Sequence, residues 1–285
     1  MGILHDNLFL CLLCGHLLGD FYFQTDKMAG RKDESARVLR THALVYAGAL
    51  LLGALPFLRR DAFLWVLLPM AAHFVIDAAK AAACGRFGNR AAFCAVTRRG
   101  RLFLFDQALH LATLGAAAWL AGAPALNAVG RGLVSVWHAA AGAAAPAHTA
   151  LALAALVLLL GKPANVLLKQ CNTRLAAAVD GAAGEAAQPP AACGCPLAGS
   201  APAAPRTPEY PGAGAIIGTL ERLLVAVLCM MGQYAAVGLV FTAKTLTRYD
   251  RISKDPPFAE YYLIGTLGSL LFVLCATRLL LPGAP

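Results

Sequence analysis

Long apolar runs separated by short polar or basic loops make up most of this 285-residue chain. Each run approaches or exceeds the ~20 residues that cross a ~30 Å hydrocarbon layer as a helix. The runs cover residues 8–23, 43–58, 62–83, 102–121, 148–168, 214–243 and 258–281. In lipid a backbone finds hydrogen-bond partners only within its own segment, and no run shows the alternation of a barrel strand. The pattern predicts an all-α, polytopic transmembrane helical bundle of six or seven spans.

Composition agrees with a membrane protein, because 59% of the residues are hydrophobic and only 14% are charged. The first run has neither a basic segment before it nor a small-residue cleavage site after it, so we expect it to be a retained span. Nine cysteines, an odd number scattered over spans and loops, argue against a disulfide framework. Cys11 and Cys14 lie among leucines and are interpreted as packing residues.

The chain divides into four predicted parts. Residues 1–121 form a four-helix membrane domain that carries the polar site. Residues 122–175 hold a connecting segment and a fifth apolar helix. Residues 176–213 consist mainly of Ala, Gly and Pro, which predicts a disordered insertion. Residues 214–285 are predicted to form a C-terminal helical membrane hairpin.

The net charge of +9 is concentrated in loops. Basic residues in the loops 25–41 and 84–101 predict, by the positive-inside rule, that both loops are cytoplasmic and that the amino terminus is outside. We expect these loops to meet anionic lipid headgroups rather than nucleic acid. The loop 244–257 is also basic, although simple alternation places it outside. We favour a cytoplasmic position, with either an incomplete crossing at 148–170 or an extra element within 122–147.

Candidate chemistry comes from His and Asp residues spaced four apart, which share one helix face. Seven His and ten Asp in this chain predict about 0.5 such pairs by chance. The apolar runs contain three pairs, His16 with Asp20, His73 with Asp77, and Asp106 with His110. Ionisable residues at membrane depth are a functional hypothesis by default. His42, at the start of the second span, joins them.

Under the predicted topology these residues converge near the cytoplasmic boundary. A mixed nitrogen and oxygen set of this size suits two or three divalent ions, zinc first, with manganese or iron as alternatives. The predicted ligands are His16, Asp20, His42, His73, Asp77, Asp106 and His110. A proton or cation relay and interhelical hydrogen bonding remain open as alternatives. His5, His138 and His148 have no partner at spacing four and are interpreted as interfacial or loop residues.

Several motifs resemble a bacterial inner-membrane family known as domain of unknown function 3307. They are GHLLGDFYFQTDKMAGRK, THALVYA, HFVIDAAK and FDQALH, followed in the C-terminal half by IIGTLERLL, GQYAAVGLVFTAKTLTRY and FAEYYLIGTLGSLL. The resemblance implies a multi-pass protein of the bacterial inner membrane and implies no activity. A weaker similarity in layout links the helical His/Asp pairs to zinc-dependent phospholipase C, P1-type nucleases and inner-membrane metal-dependent hydrolases.

These observations together favour a membrane-embedded, metal-dependent hydrolase that cleaves phosphoesters, with a membrane lipid as partner, at the cytoplasmic leaflet. Asp20, Asp77 and Asp106 are the candidate catalytic carboxylates. Lys80 is expected to receive a phosphate, and Gln24 and Gln107 to orient ligands. A proton- or cation-coupled transporter or channel with the same residues, and a metal-free membrane scaffold, are the competing classes.

The C-terminal half adds charges and small residues with predicted structural roles. The charged residues interpreted as structural ion pairs are Glu221, Arg222, Lys244 and Glu260. We expect Lys244 to pair with Glu260, and neighbouring Glu221 and Arg222 to need separate partners. Small residues spaced four apart, Gly214 with Gly218 and Gly265 with Ser269, predict close helix contacts.

Overall fold

The computed structural model describes residues 6–32, 35–86, 96–170 and 213–283, and its regular structure within these ranges is helical. The all-α fold class is confirmed for this part of the chain. The predicted insertion 176–213 lies outside it apart from its last residue. The helices are α1 (Asn7–Leu17), α2 (Asp26–Arg31), α3 (Ala36–Ala54), α4 (Arg60–Arg86), α5 (Val96–Ala121), α6 (Ala128–Ala141), α7 (Ala147–Leu160), α8 (Lys162–Gln170), α9 (Ala213–Met230), α10 (Tyr234–Leu246), α11 (Tyr249–Lys254) and α12 (Pro256–Leu280).

Helix α1 lies at the centre of the bundle and contacts α3, α5 and α7. Asp6 caps its start, because the Asp6 carboxylate accepts a hydrogen bond of 3.0 Å from the backbone N–H of Phe9. The helix is apolar on nearly every face, as expected where neighbours surround it. Leu8, Leu10 and Leu12 are at most 1% exposed. The first apolar run therefore forms the core of the bundle.

The end of α1 widens into a π-helical turn, Leu18–Tyr22. Turns of this kind are rare and occur frequently at functional sites. This one carries the buried Asp20 and ends at Tyr22. The relative position of His16 and Asp20 is therefore set by a local widening of the helix, which the spacing of polar residues in the sequence does not reveal.

Helices α1 and α3 cross so closely that only glycine fits at the contact. A Cβ on Gly53 would lie 2.5 Å from the carbonyl oxygen of Cys11, and a Cβ on Gly15 would lie 2.9 Å from Cα of Leu50. A Cβ on Gly19 would lie 2.9 Å from the Tyr46 ring. The close seam of small residues thus joins the first two long apolar helices of the chain.

The prediction that small residues of α9 form a close contact with another helix is wrong. A Cβ on Gly214 would meet nothing within 4 Å, and Gly218 faces the side chain of Arg222 rather than a neighbouring backbone. The spacing-four pattern is equally present at Gly15 and Gly19. Spacing alone does not distinguish a face that meets another helix from one that does not.

Four helical segments are long and apolar enough to cross a membrane: Ala36–Phe57, Arg60–Ala82, Ala213–Met230 and Pro256–Leu280. The bent pair α7 and α8 adds a fifth if it is one span. Helix α1 with its π turn and helix α10 are apolar but shorter. The described residues thus form a membrane-associated helical protein with four or five candidate spans, so the structure does not establish the predicted six or seven.

The bend between α7 and α8 measures 44° and is built around the hydroxyl of Tyr22. This hydroxyl donates a 2.9 Å hydrogen bond to the carbonyl oxygen of Leu158 and accepts one of 3.3 Å from the backbone N–H of Lys162. In a regular helix these two backbone groups would bond to each other. Pro163, which has no N–H, removes a further bond of the ladder. A side chain of the π turn therefore holds the helix open at the bend.

Arg222 of α9 supports the same bend from the other side. Its Nε donates a 2.8 Å hydrogen bond to the carbonyl oxygen of Leu160, and its Nη2 donates one of 2.6 Å to Oδ1 of Asn165. The side chain is buried, so these bonds satisfy a charge that would otherwise be costly. Arg222 is a structural tie between α9 and the α7/α8 bend.

The apolar run 214–243, predicted as one span, is broken between α9 and α10. Gly232 turns the chain with φ +69°, a conformation that glycine adopts readily. Helix α10 then returns along α9, and Lys244 forms an ion pair with Glu221. The predicted pair of Lys244 with Glu260 is therefore wrong. The expectation that Glu221 and Arg222 have separate partners is confirmed.

This turn bears on the basic loop 244–257, which simple alternation of the predicted spans would place outside. Since α10 runs back along α9, the loop lies at the end of the bundle where α9 begins. Arg278 near the end of α12 donates a 2.9 Å hydrogen bond to the Tyr234 hydroxyl, which places the end of α12 beside the start of α10. An additional reversal lies at Gly232. The extra element expected within 122–147 is present as helix α6, and the run 148–170 is broken by the 44° bend between α7 and α8.

Candidate metal centre

The structure brings together all seven His and Asp side chains that the sequence predicts as ligands, and we call this set the His/Asp cluster. Each is at most 8% exposed. They come from α1 with its π turn, α3, α4 and α5. Their donor atoms form three groups, each within 4.8 Å: His16, Asp20 and His73; His42, His73 and Asp77; Asp77, Asp106 and His110. His73 and Asp77 each belong to two groups, so the cluster is continuous.

Two histidine nitrogens at its centre each lie close to the same two carboxylate oxygens. Nε2 of His42 lies 3.1 Å from Nε2 of His73, 3.2 Å from Oδ1 of Asp20 and 3.3 Å from Oδ2 of Asp77. Nε2 of His73 lies 3.6 Å from each of the same two oxygens. A tetrahedral zinc site with bonds of ~2.0–2.1 Å has ligand atoms about 3.3–3.4 Å apart. The residues present therefore fit a divalent ion.

The chemistry of these four atoms also favours a cation. Two imidazole nitrogens 3.1 Å apart share at most one proton, and one carboxylate oxygen each of Asp20 and Asp77 lies within 3.6 Å of both nitrogens. Buried charges are normally paired or coordinate metals. Among the described residues, Oδ1 of Asp20 and Nδ1 of both His42 and His73 have no hydrogen-bond partner. The four groups thus contact one another, while these three buried atoms have no hydrogen-bond partner.

A second group extends from Asp77 to α5. Asp77, Asp106 and His110 place donor atoms within 4.8 Å of one another. Oδ1 of Asp106 and both ring nitrogens of His110 are buried and make no hydrogen bond within the described part of the chain. Asp77 faces both this group and the central four atoms. A carboxylate in that place is suited to bridging two cations.

Two lysines balance most of the negative charge. Nζ of Lys32 lies 3.0 Å from Oδ2 of Asp77, and Nζ of Lys80 lies 3.2 Å from Oδ2 of Asp106. Thr25 caps the short helix α2, which folds the chain back so that Lys32 at its end reaches the cluster. Oε1 of Gln24 lies 3.5 Å from the same ammonium group. Three carboxylates thus face two ammonium groups.

His16 and Gln107 connect the cluster to its surroundings. Nε2 of His16 lies 3.3 Å from Oε1 of Gln107, whose Nε2 donates a 3.1 Å hydrogen bond to Oδ2 of Asp20. Nδ1 of His16 lies 3.2 Å from the hydroxyl of Tyr46. The Tyr46 ring stacks on His73 with centroids 3.5 Å apart and planes 3° apart. Tyr46 and Gln107 therefore orient His16, His73 and Asp20.

Sequence reasoning misses two residues of this site. Tyr46 lies four residues after His42 on the same face of α3, so its spacing is a usable signal. Lys32 belongs to the basic loop 25–41 that is predicted to meet lipid headgroups, whereas its side chain is buried on Asp77. His138 and His148 lie in α6 and α7, outside the cluster, and His5 lies outside the described residues.

Residues 8–131 match the family model of a protein of unknown function, DUF3307. This part of the chain is similar to the DUF3307 family. The resemblance inferred from the first four motifs is thereby confirmed, and the C-terminal motifs lie beyond the DUF3307 match. No curated protein and no solved structure matches the chain. All seven residues of the His/Asp cluster fall within the DUF3307 region.

Proposed function

We propose that this protein is an integral membrane, metal-dependent hydrolase of phosphoesters, and that it works at the cytoplasmic leaflet of a bacterial inner membrane. The observation that carries the proposal is the approach of His42 Nε2 and His73 Nε2 to each other and to Asp20 Oδ1 and Asp77 Oδ2, at 3.1–3.6 Å. Phosphoester hydrolysis is the reaction class that such His/Asp sites serve by analogy of layout.

The first divalent ion, for which zinc is our leading candidate, would be held by His42 and His73 with Asp20 and Asp77. Manganese and iron are alternatives with the same ligand types. A further ion would be held by Asp77, Asp106 and His110. Such an ion supplies an acidified water, with a pKa of about 7, and polarises a phosphoryl oxygen.

The protein's own residues would do the remaining work. Asp106, whose Oδ1 makes no hydrogen bond to a described residue, is placed to accept the proton of an attacking water. Lys32 and Lys80 carry ammonium groups at the edge of the cluster. Each could leave its aspartate carboxylate and bind a phosphate oxygen of the substrate instead. Gln107 and Tyr46 would keep the ligands oriented.

The membrane topology completes the proposal. Helix α1, helix α5 and the bent pair α7/α8 would cross together with the four candidate spans, and the shorter helix α10 would return through the membrane along α9, which gives eight passes. The basic loops 25–41 and 84–101 would lie in the cytoplasm and meet anionic headgroups, with Lys32 turned inward. The loop 244–257 would lie on the same side, because α10 returns along α9.

Metal analysis of protein purified without chelators, combined with phosphatase assays on p-nitrophenyl phosphate, tests this function. We expect at least one divalent ion per chain, and hydrolysis that a chelator abolishes and added zinc restores. Asp77→Ala should lose both metal and activity, whereas His138→Ala, a histidine outside the cluster, should keep both. Protein that folds but carries no divalent ion would contradict the proposal and favour a metal-free scaffold.

The second candidate is a proton- or cation-coupled transporter, favoured by the α7/α8 bend beside the cluster. Broken helices whose freed backbone groups are satisfied by side chains are typical of transporters. Flux measurements in proteoliposomes separate the two functions. Metal- or proton-dependent cation flux without hydrolysis would support the transporter and refute the hydrolase.

A further inference from the structure

A cavity of about 740 Å³ lies between the two halves of the bundle, directly beside the His/Asp cluster. Its walls come from α1, α5, the α7/α8 bend and α12. They are mainly apolar, with large side chains that include Phe9, Leu13, Phe103, Leu111, Phe272 and Leu279. The volume lies within the roughly 300–1,000 Å³ typical of small-molecule sites.

The polar side chains of the cavity wall are His16 and Gln107, and both belong to the polar network already described. They lie 3.3 Å apart, and Gln107 also binds Asp20. His16 shares a metal-capable group with Asp20 and His73. The cavity is therefore apolar over most of its length and meets the candidate metal centre at one place.

We infer that this cavity holds the hydrocarbon chain of the substrate, and that the substrate is a lipid phosphate. This inference rests on the proposed function. The phosphate would lie against the cluster and the lysines, and the chain would lie between α5 and α12. Hydrolysis then adds water across the phosphorus–oxygen ester bond, which releases phosphate and the long-chain alcohol.

The alternative occupants fit the walls less well. A water-soluble phosphoester would contact only the polar end of the cavity, so it would gain no binding free energy from the apolar walls. A lipid without an anionic head would make no contact of its own with the ammonium groups of Lys32 and Lys80 at the edge of the cluster. An amphiphile with one apolar chain and one anionic end satisfies both parts of the cavity.

Chain length is the first test. Alkyl phosphates from ethyl to octyl, all water-soluble, should show kcat/KM rising roughly two- to fourfold with each added methylene until the cavity is filled. A flat series would contradict the inference. Hydrolysis of p-nitrophenyl phosphate in the same preparation shows whether the enzyme itself is active, so this failure is distinct from failure of the proposed function.

Blocking the cavity is the second test. Ala112 of α5 lines it, and Ala116, also exposed and one turn further along the same helix, does not. Ala112→Phe should remove the chain-length dependence while metal content and p-nitrophenyl phosphate hydrolysis persist, and Ala116→Phe should change none of these. If Ala112→Phe fails to fold, Leu279→Trp blocks the same cavity from α12. Unchanged chain-length dependence in a folded blocking variant would refute the chain site.

Binding can be measured without any reaction. A dodecyl phosphate with a photoreactive diazirine in mid-chain should label cavity residues of α5 and α12, as mapped by mass spectrometry, and excess unlabelled dodecyl phosphate should compete. Dodecanol should compete far less, because it lacks the anionic end. Equal competition by dodecanol would show a non-specific lipid crevice, and labelling confined to the outer lipid-facing surface would likewise overturn the inference.

Discussion

His42 and His73 face each other through their Nε2 atoms, 3.1 Å apart, although they lie 31 residues apart on different helices. Both atoms also approach Asp20 and Asp77, so this contact is the centre of the proposed ion position. The arrangement separates residues that would bind the ion from residues that orient them, and the two kinds should differ in their effect on metal affinity.

Removing His42 should weaken metal binding more than removing Gln107. Loss of an orienting partner typically lowers metal affinity ~10–100-fold, and loss of a direct ligand should exceed that range. We expect His42→Ala to lower zinc affinity more than ~100-fold and Gln107→Ala to stay within the range, as measured by competition with a chelator. His138→Ala is the control. Wild-type affinity in folded His42→Ala would exclude the central position.

Lys32→Met should destabilise the protein in the absence of added metal. Breaking a buried ion pair leaves the Asp77 carboxylate uncompensated, which costs on the order of 3–5 kcal/mol. Added divalent metal should restore much of the loss, because a cation replaces the ammonium group. Thermal unfolding in detergent with and without zinc measures both effects. Lys27→Met, on the exposed side of the same short helix, should have little effect in either condition.

Residues inside the apolar runs are the predictable part of this site. His16, Asp20, His73, Asp77, Asp106 and His110 share helix faces at spacing four, and in lipid such residues have few reasons to exist without function. Lys32 gives no comparable signal, because a basic residue in a loop is ordinary. The burial of Lys32 depends on where Thr25 starts helix α2 and on how that helix packs. Tertiary packing of this kind leaves no pattern in the local sequence.

The helices themselves are predictable from hydropathy, but their interruptions are not. Gly232 lies within an apolar run whose two halves look alike, so nothing in composition separates α9 from α10. The bend at α7 and α8 needs the Tyr22 hydroxyl from 136 residues away. Features set by distant contacts cannot be seen in a local window of sequence.

Gly53→Ala should destabilise the α1/α3 contact. The added Cβ would meet backbone atoms of Cys11 and Gly15, which cannot move aside as a side-chain end can, and overpacking of this kind costs about 1–3 kcal/mol. Gly48→Ala is the matched control on the same helix, where a Cβ would meet nothing within 4 Å. That substitution should be neutral or stabilise by up to ~1 kcal/mol. Equal unfolding temperatures for the two variants would contradict the close contact.

Tyr22→Phe should weaken the α7/α8 bend while leaving ring packing in place. The carbonyl of Leu158 and the N–H of Lys162 would lose their shared partner, at a cost of about 1–3 kcal/mol. Hydrogen exchange of the amides near Lys162 should rise, and the amides of α3 should not change. Tyr249→Phe, on the exposed helix α11, is the control. Unaltered exchange near Lys162 would show that Pro163 alone maintains the bend.

Cysteine labelling should place the loops 25–41 and 244–257 on the same, cytoplasmic side. The charge bias predicts the first position, and the return of α10 along α9 predicts that the second agrees with it. Ala29→Cys and Ser253→Cys in a cysteine-free background should both react with an impermeant reagent only after the membrane is permeabilised. Labelling of one from outside and the other from inside would show that α10 does not return as described.

Because of the π-helical turn at Leu18–Tyr22, the orientation of the residues that follow His16 depends on the number of residues in the turn as well as on their identity. One residue of an α-helix corresponds to a rotation of about 100°. Deleting a single residue from this turn would restore ordinary winding and rotate the downstream residues relative to His16. Asp20 would then leave the central oxygen position, and Tyr22 would leave the bend. Isosteric substitutions in α1 should be tolerated, whereas a one-codon deletion in the turn should disconnect the cluster from the bend in one step.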